Sequence, residues 1–359
     1  MKPPHGGYPS RAAAPTLAAM TASSGPWLPL LEDVRRYPSP HNSQPIRVRV
    51  IDAARAEVFY DLDRGLPAEN FGIPFGHVCA GVFLESLRVV AAAAGYRVEE
   101  ALELEEMDFD ATDRLHRLGT VTLEPQAPGA EDLRAAEAFR MRRTNRRPYD
   151  DRAVPRVDLE EVQELAAGCG QRFSWSGDAR VVAPIIRINQ ETLFDDLRND
   201  AVYAEIMEWL RFSEHDAVER GDGLSAAAML MPGPLLRFAM GHRGLWQAPV
   251  IGAAIRGMYL RTMRGVRQLA WFEGPFAGPS DYVEAGRVFM RCWLELTARG
   301  VSLHPFGTVI TNPRSHARFV DIAGADESDG RMAWMLVRLG YAKTPPVAHR
   351  RPLEEMLVA

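Results

Sequence analysis

Arginine is the residue most able to do chemistry in this sequence, because it is clustered. Four arginines lie within six residues of the stretch MRRTNRRPY, namely Arg142, Arg143, Arg146 and Arg147. Guanidinium groups this close repel one another and pair best with an oxyanion, and Thr144 adds a hydroxyl between them. Free backbone N–H groups at the start of the next predicted helix would favour phosphate. The stretch predicts a phosphate site or, alternatively, a solvated turn paired with nearby carboxylates.

A second basic cluster lies near the C-terminus, where His349, Arg350 and Arg351 precede a predicted short helix. Two such clusters could converge on one phosphate monoester. The sequence has no GxxxxGK[ST] loop and no clear GxGxxG motif after a strand. A bound phosphate would therefore be held by arginines and hydroxyls rather than by a glycine-rich loop.

The third candidate is a polar loop, YPSPHNSQPIRV, at residues 37–48. It places Asn42, Ser43 and Gln44 in a row directly before an apolar run, with Ser39 just upstream. An ordinary turn needs turn-forming residues but does not need so many side-chain donors and acceptors. Such a loop could bind a flat ligand with polar edges.

The composition limits the class of protein. The chain has 359 residues, 47% of them apolar, which is enough for one large or two modest cores. A net charge of −5 gives no general attraction to nucleic acid or membrane. Three scattered cysteines without a CxxC pair argue against a disulfide framework or a metal site. Without a long apolar run, we expect a cytoplasmic protein, with a disordered tail at residues 1–26.

Several predicted elements would position these candidates. The alternation in IRVRVI predicts a strand over Ile46–Ile51, paired with a second strand over Glu57–Asp61. The stretch from His77 to Tyr96 is apolar nearly all round and predicts a buried helix. Further helices are predicted at 27–36, 157–170, 181–200 and 281–300. Further strands are predicted at 96–104, 119–125, 172–177 and 334–342. A connector between the two halves is predicted at 124–138. The order helix, loop, strand, long helix, strand occurs twice, which predicts an α+β protein of two similar halves.

The segment 213–265 stands apart, because it is rich in Met, Leu and Gly. A methionine-rich segment with glycine hinges is typical of an adaptable lid over an apolar site. It could equally be a pair of helices packed at an interface between lobes or subunits. Both interpretations stay open from the sequence.

Three stretches together resemble a known family. SPHNSQP before a strand, RRTNRR, and the terminal RLGYA…PP…RRPLEE resemble the FMN-dependent nitroreductase superfamily, most closely its fused, two-lobed Acg-like FMN-binding proteins. The resemblance spans the chain from about residue 27. It implies two tandem pseudo-symmetric lobes, 27–135 and 136–359, which form an internal dimer of mainly antiparallel sheets flanked by helices. It also implies FMN as the cofactor, and no metal.

The resemblance implies that the second lobe holds the FMN phosphate and the first lobe meets the flavin. The implied FMN-binding residues are Ser39, His41, Asn42, Gln44, Arg142, Thr144, Arg146, Pro305, Phe306, Gly307, Arg350 and Arg351. The backbone near Gly307, in HPFGTV, would stabilise the reduced ring, unless this stretch is a plain turn. His41 and His304 are the candidates for a catalytic acid or base, although solvent could serve instead.

The sequence departs from the family pattern in three places. Ile46 stands where the family usually has tryptophan after the polar loop. The first lobe lacks its own Arg-Ser-x-Arg element, which predicts one FMN per chain. The stretch NRRPY is one residue longer than usual, so either Arg146 or Arg147 could be the phosphate ligand.

Three functions remain open. The first is an oxidoreductase that passes a hydride from NAD(P)H through FMN to a nitroaromatic, a quinone or another conjugated acceptor by a ping-pong cycle. The second is a biosynthetic dehydrogenase or oxidase that is reoxidised by oxygen. The third is FMN binding or storage without turnover. The expected partners are a small-molecule substrate and NAD(P)H, with no nucleic acid and no membrane, and the chain would be a monomer or a homodimer.

Overall fold

The structure is a computed structural model that describes residues 25–358. The predicted disordered tail lies outside the described residues, except for its last two positions. The first half consists of helices α1 (Trp27–Val34), α2 (Pro67–Asn70) and α3 (Phe75–Ala93) and strands β1 (Ile46–Val50), β2 (Arg55–Asp61), β3 (Tyr96–Leu102) and β4 (Leu115–Pro125). These strands form an antiparallel sheet in the order β1-β2-β4-β3.

Strand β1 forms because its side chains alternate between the core and solvent. Ile46 and Val48 are buried against the core, while Arg47 and Arg49 point outward to carboxylates on β2. The predicted hairpin is confirmed, although β2 begins two residues before Glu57.

The second half repeats the plan with a sheet in the order β5-β8-β10-β9, also antiparallel. Its sheet strands are β5 (Arg172–Ser176), β8 (Gln268–Pro275), β9 (Ser302–Pro305) and β10 (Arg331–Gly340). Its flanking helices are α4 (Ala130–Met141), α5 (Arg156–Gly168), α6 (Ala179–Asp196), α11 (Pro279–Ala298), α12 (Gly307–Thr311) and α13 (Pro313–Ala323). The predicted α+β class with mainly antiparallel sheets is confirmed.

Two features of this half differ from the sequence prediction. Strand β8 was missed because seven consecutive residues of it are buried, so the sequence shows no alternation. The predicted connector 124–138 is wrong in its second part, since α4 occupies it. The prolines of this stretch stop before Ala130, and the alanines and glutamates that follow favour a helix.

The two halves meet where α3 crosses α11. A Cβ on Gly81 would lie 1.9 Å from the carbonyl oxygen of Val283, and a Cβ on Gly286 would lie 2.0 Å from that of Val78. The two helix backbones therefore approach too closely for any side chain at the crossing. Helix α3 is long and apolar enough to span a membrane, but 94% of its apolar window is buried inside the protein.

Each sheet receives an extra backbone segment at one edge. The backbone N–H of Val48 on β1 donates to the carbonyl of Met356 (2.9 Å), and Val358 donates back to Val48 (2.9 Å). On β9, Thr144 forms a parallel bridge with Leu303. The limit between lobes predicted at 135/136 falls inside α4, whose C-terminal end leads directly into the segment beside β9.

A smaller unit is inserted before β8. It contains α7 (Asp200–Trp209), α8 (Glu214–Arg220), α9 (Gly233–Gly241), α10 (Pro249–Thr262) and two short parallel strands, β6 (Leu210–Arg211) and β7 (Leu224–Ser225). It has an apolar core of its own, formed by Leu197, Val202, Ile206, Leu210, Leu224, Ala226, Leu236, Met240 and Trp246. The unit begins earlier than the predicted segment 213–265, because α7 packs into the same core.

Candidate functional site

The polar loop adopts an uncommon backbone. His41, Asn42 and Gln44 have φ values of +48°, +56° and +53°. Non-glycine residues seldom take this left-handed conformation, and three of them within four positions indicate that surrounding contacts hold them there. One of these contacts is internal, because the hydroxyl of Ser39 accepts a hydrogen bond from the backbone N–H of Gln44 (2.9 Å).

The other contacts come from the inserted unit. The side-chain amide of Asn42 donates to the carbonyl of Gly223 (3.3 Å), and that of Gln44 donates to the carbonyl of Gly221 (2.9 Å). Next to them, the buried carboxylate of Asp222 lies between Arg64 of the first half and Arg211, with 3.1 Å to Nε of Arg211. The turn 221–223 is thus pinned onto the polar loop.

The C-terminal segment closes the third side of the loop. Arg350 donates through Nη1 to Oδ1 of Asn42 (2.8 Å), and the backbone N–H of Arg351 donates to Oε1 of Gln44 (3.1 Å). The structure therefore brings the polar loop and the C-terminal arginines together, as the sequence suggested. The amides of Asn42 and Gln44 contact the protein's own backbone at this junction.

Three arginines that have no carboxylate partner among the described residues lie beside the contact between the polar loop and the C-terminal segment. Arg142 is 5% exposed, donates to the carbonyl of Arg36 (3.0 Å) and stacks 4.5 Å over the ring of Trp293. Burial, with Arg350 and Arg143 nearby, lowers the pKa of Arg142 to about 9. Burial also lowers the pKa of Arg350 to about 10. Within the described chain, no carboxylate lies within 4.0 Å of Arg142, Arg143 or Arg350. We call these three residues the first cation group.

Arg351 does not belong to this group. Its guanidinium Nε donates to the carboxylate of Glu355 (2.7 Å), and its Nη2 donates to the carbonyl of the same residue (3.2 Å). Of the two predicted C-terminal arginines, only Arg350 leaves its charge uncompensated.

A second cation group lies at the sheet of the second half and consists of Arg146 and Arg338, with the imidazole of His304 beside them. Arg338 and His304 are paired across β10 and β9. Arg338 is 0% exposed and donates to three carbonyls, those of residues 145, 147 and 262. Burial and then Arg338 lower the pKa of Arg146 to about 10. This group also contains no carboxylate among the described residues.

His304 is neutral in this environment. Burial, followed by the positive charges of Arg338 and Arg146, holds the pKa of His304 well below its ordinary value. Its Nδ1 atom is buried and has no hydrogen-bond partner. The imidazole can therefore offer a hydrogen bond to a bound molecule, but it is a poor proton donor at neutral pH.

The segment 142–146 joins the two cation groups. It lies along the edge of β9, where the backbone N–H of Asn145 donates to the carbonyl of Leu303 (3.0 Å). The side chain of Asn145 donates to Ser302 (3.1 Å) and to the carbonyl of Lys343 (3.2 Å), which fixes the segment in place. Four extended residues span at most about 13 Å, so the backbones of Arg142 and Arg146 lie no farther apart than this.

The remaining predicted residues lie around these groups. Phe306 is buried and packs edge-on against the ring of His304 at 5.6 Å, with Pro305 before it at the end of β9. Gly307 begins α12, and a Cβ there would meet nothing within 4 Å. His41 is paired instead with Glu69, with 3.0 Å between Nδ1 and Oε2.

Sequence reasoning missed Arg338 and the turn 221–223. Arg338 had a signal, because it is a charged residue inside the apolar run WMLVRLG. Buried arginines of this kind are rare unless they are paired or functional. The turn had no signal, since its role depends on contacts with residues far away in the sequence.

Comparisons with known proteins agree with the resemblance seen in the sequence motifs. Two Mycobacterium tuberculosis proteins, from strains CDC 1551 / Oshkosh and ATCC 25618 / H37Rv, are each 27% identical to this chain over 340 residues. The alignments cover 90% of this chain and 88% of each relative, and both relatives carry names that assign them provisionally to the NAD(P)H nitroreductases. No protein-family model matches the chain.

Solved structures give a weaker likeness. A nitroreductase with bound FMN from Bacteroides fragilis has a TM-score of 0.34 and 13% identity, covering 61% of this chain and 93% of that chain. One with bound FMN from Desulfitobacterium hafniense has a TM-score of 0.38 and 14% identity, covering 62% and 96%. At TM-scores below 0.5 these likenesses add no argument. The mycobacterial relatives support the resemblance read from the motifs along 90% of the chain. The predicted resemblance to the nitroreductase superfamily is therefore confirmed. The fused Acg-like subgroup stays a prediction.

Proposed function

We propose that the protein is an FMN-dependent oxidoreductase of the nitroreductase type, which moves a hydride between NAD(P)H and a conjugated organic acceptor in the cytoplasm. One observation carries this proposal: arginines without a carboxylate partner among the described residues lie at the two ends of the segment 142–146, and two of them, Arg142 and Arg338, are buried. Burying uncompensated charge is costly, so such groups favour a bound anion. The names of the mycobacterial relatives support NAD(P)H as the donor.

The chemistry of the two groups fits FMN. A phosphate dianion would meet Arg142, Arg143 and Arg350, with the hydroxyl of Thr144 as a further donor. The buried Nε atoms of Arg142 and Arg143 have no hydrogen-bond partner and could serve it. The open space beside Gly307 leaves room for a ring near the second group.

When bound, FMN supplies reversible hydride transfer, and the protein supplies position and electrostatics. Arg146 would stabilise negative charge on the reduced cofactor if the ring binds beside the second cation group. His304 can hydrogen-bond through its unpartnered Nδ1 while staying neutral. We do not propose His304 as the proton source, because its pKa is depressed, whereas His41, which lies 3.0 Å from Glu69, stays a candidate.

The test is a visible spectrum of the purified protein, followed by anaerobic titration with NADH and NADPH. We expect flavin absorbance that is released as FMN, about one per chain, and bleached by at least one nicotinamide. A protein that is colourless and takes up no added FMN would overturn the proposal. The choice between the two nicotinamides and the ping-pong order follow from the same titration and from steady-state kinetics with a quinone acceptor.

A second candidate function, FMN binding without turnover, is favoured by one observation. The turn 221–223 is pinned onto the polar loop by Asp222 and by two amide hydrogen bonds, as a closed lid would be. Bound flavin that neither nicotinamide bleaches would support this candidate over the reductase. In that case Asp222→Asn, which weakens the ion pairs with Arg64 and Arg211, should speed bleaching by NADPH. Asp216→Asn, whose carboxylate pairs with Arg220 within α8 itself, should not.

A further inference from the structure

The stretch 223–272 has an unusual charge distribution. It contains no aspartate or glutamate, although the chain as a whole carries a net charge of −5. It contains six arginines: Arg237, Arg243, Arg256, Arg261, Arg264 and Arg267. Two of these pair with carboxylates from elsewhere, Arg243 with Asp200 and Arg267 with Asp151, each at 2.7 Å. The other four have no carboxylate within 4.0 Å in the described chain, so this region is a positive patch on an acidic protein.

The same region exposes apolar side chains. Half of the large apolar side chains that are exposed in the described chain lie between residues 230 and 260: Leu230, Leu235, Phe238, Val250, Met258 and Leu260. Single exposed apolar residues are ordinary, but a concentration of them marks an interaction surface. We call helices α9 and α10, with the residues between them and the two that follow α10, the basic hairpin (233–264).

Both helices of the basic hairpin are apolar on two sides. In α9, Leu236 and Met240 face the small core, while Phe238, which is 52% exposed, faces solvent. In α10, Tyr259 packs inward and Val250 is 81% exposed. An ordinary surface helix has a polar outer face. In this hairpin the exposed side of each helix instead carries apolar side chains, and arginines without a carboxylate partner in the described chain lie among them in the sequence.

The charge pattern decides which partner fits this face. A second copy of the chain, packed about a two-fold axis, would bring the same arginines face to face and repel. Helices of nine and fourteen residues are too short to span a bilayer, which needs about 20. Apolar side chains ringed by arginine suit an interface of anionic headgroups over acyl chains.

We propose that the basic hairpin docks the protein on an anionic lipid surface. Phe238 and Val250 enter the boundary between headgroups and acyl chains, and the unpaired arginines contact lipid phosphates. This inference does not depend on the proposed oxidoreductase function. It revises the expectation of no membrane contact, which rested on the net charge of the whole chain.

The test is co-sedimentation of the full-length protein with vesicles of equimolar phosphatidylglycerol and phosphatidylcholine, compared with phosphatidylcholine alone. We expect binding to the anionic vesicles only, weakened by added salt. Arg261→Gln with Arg264→Gln should lower the partition coefficient about 30-fold, since each arginine contributes about fivefold. Phe238→Ser with Val250→Ser should lower it at least about tenfold.

The matched control is Leu133→Ser with Val157→Ser, which removes two apolar side chains of similar exposure on α4 and α5. It should bind the anionic vesicles like the wild type. Failure to sediment with anionic vesicles at low salt would overturn the proposal, as would equal binding to phosphatidylcholine or an equal loss in the control. A concentration-dependent dimer on gel filtration that Phe238→Ser with Val250→Ser abolishes would also overturn it, because the face would then belong to a second copy.

Discussion

The edges of the two sheets use the same backbone arrangement but differ in charge. At β1 the incoming C-terminal segment brings Arg351, and this arginine pairs with Glu355. The arginines of β1 itself pair with Asp61 and Glu57. At β9 the incoming segment brings Arg142 and Arg146, and neither has a carboxylate partner in the described chain.

This difference shows how one architecture can hold one anion site rather than two. Each edge receives a backbone segment, but among the described residues the arginines brought to β9 have no carboxylate partner. Arg350 of the C-terminal segment is also unpaired, and it acts with Arg142 in the first cation group rather than with the paired arginines of β1. A buried charge without a partner is retained where a ligand supplies the partner. The comparison therefore supports the expectation of one FMN per chain, which the following experiments can break or sharpen.

The largest effect is expected from Arg142→Gln, which removes one guanidinium of the first cation group. A charged hydrogen bond contributes about 1.5–3 kcal/mol, so the Kd for FMN should rise up to about 100-fold. Fluorescence titration of FMN measures this. The control is Arg47→Gln at the other edge, where the arginine pairs with Asp61 at 2.8 Å. An equal loss in the control would mean that the two edges do not differ as the charges indicate.

Next in size is Gly286→Ala, which tests whether the helix crossing sets both edges. The added methyl would meet the carbonyl of Val78 at 2.0 Å, so α3 and α11 must move apart. We expect a loss of about 2 kcal/mol in the free energy of unfolding by urea, with weaker FMN binding. Gly168→Ala in α5 is the matched control, because its methyl would meet nothing within 4 Å. Equal stability of the two variants would contradict the close crossing.

A smaller effect should separate the two C-terminal arginines. Arg350→Gln should raise the Kd for FMN about tenfold, because it removes one unpaired charge from the first cation group. Arg351→Gln should leave this Kd within about twofold, since the charge of Arg351 is already balanced by Glu355. The reverse order would assign the phosphate to the edge at β1.

The smallest effect is on the pH dependence of stability. The pKa of His304 is held well below its value in the unfolded state. At acidic pH the unfolded state therefore binds a proton on this imidazole that the folded state does not bind. Stability should therefore fall as the pH drops below about 6.5, by about 0.7 kcal/mol for this residue between pH 7 and pH 6.

Urea unfolding of the wild type and of His304→Gln at both pH values isolates this contribution. Burial also lowers the pKa values of His77 and His116 in the first half. Their contribution is common to both proteins and cancels in the difference. An unchanged slope in the variant would mean that His304 is not held neutral by Arg146 and Arg338.

Much of the fold could be predicted because local patterns specify it. The alternation of β1 and the apolar run of α3 were sufficient to place these two elements. The second sheet was harder, since β8 is buried along most of its length and its sequence has no strand period. Part of the candidate site could also be predicted, because clustered arginines and a run of polar side chains are visible in the sequence alone.

By itself, the sequence determined which residues can bind an anion: Arg142, Arg143, Arg146 and Arg350 are charged in any fold. Only the tertiary structure decided which charges stay uncompensated. The guanidinium of Arg351 pairs with the carboxylate of Glu355, four residues away. The guanidinium of Arg142 contacts the ring of Trp293 and the carbonyl of Arg36, neither of which carries a negative charge. The physical reason is that charge type is a local property, while burial and pairing depend on contacts between residues far apart in the chain.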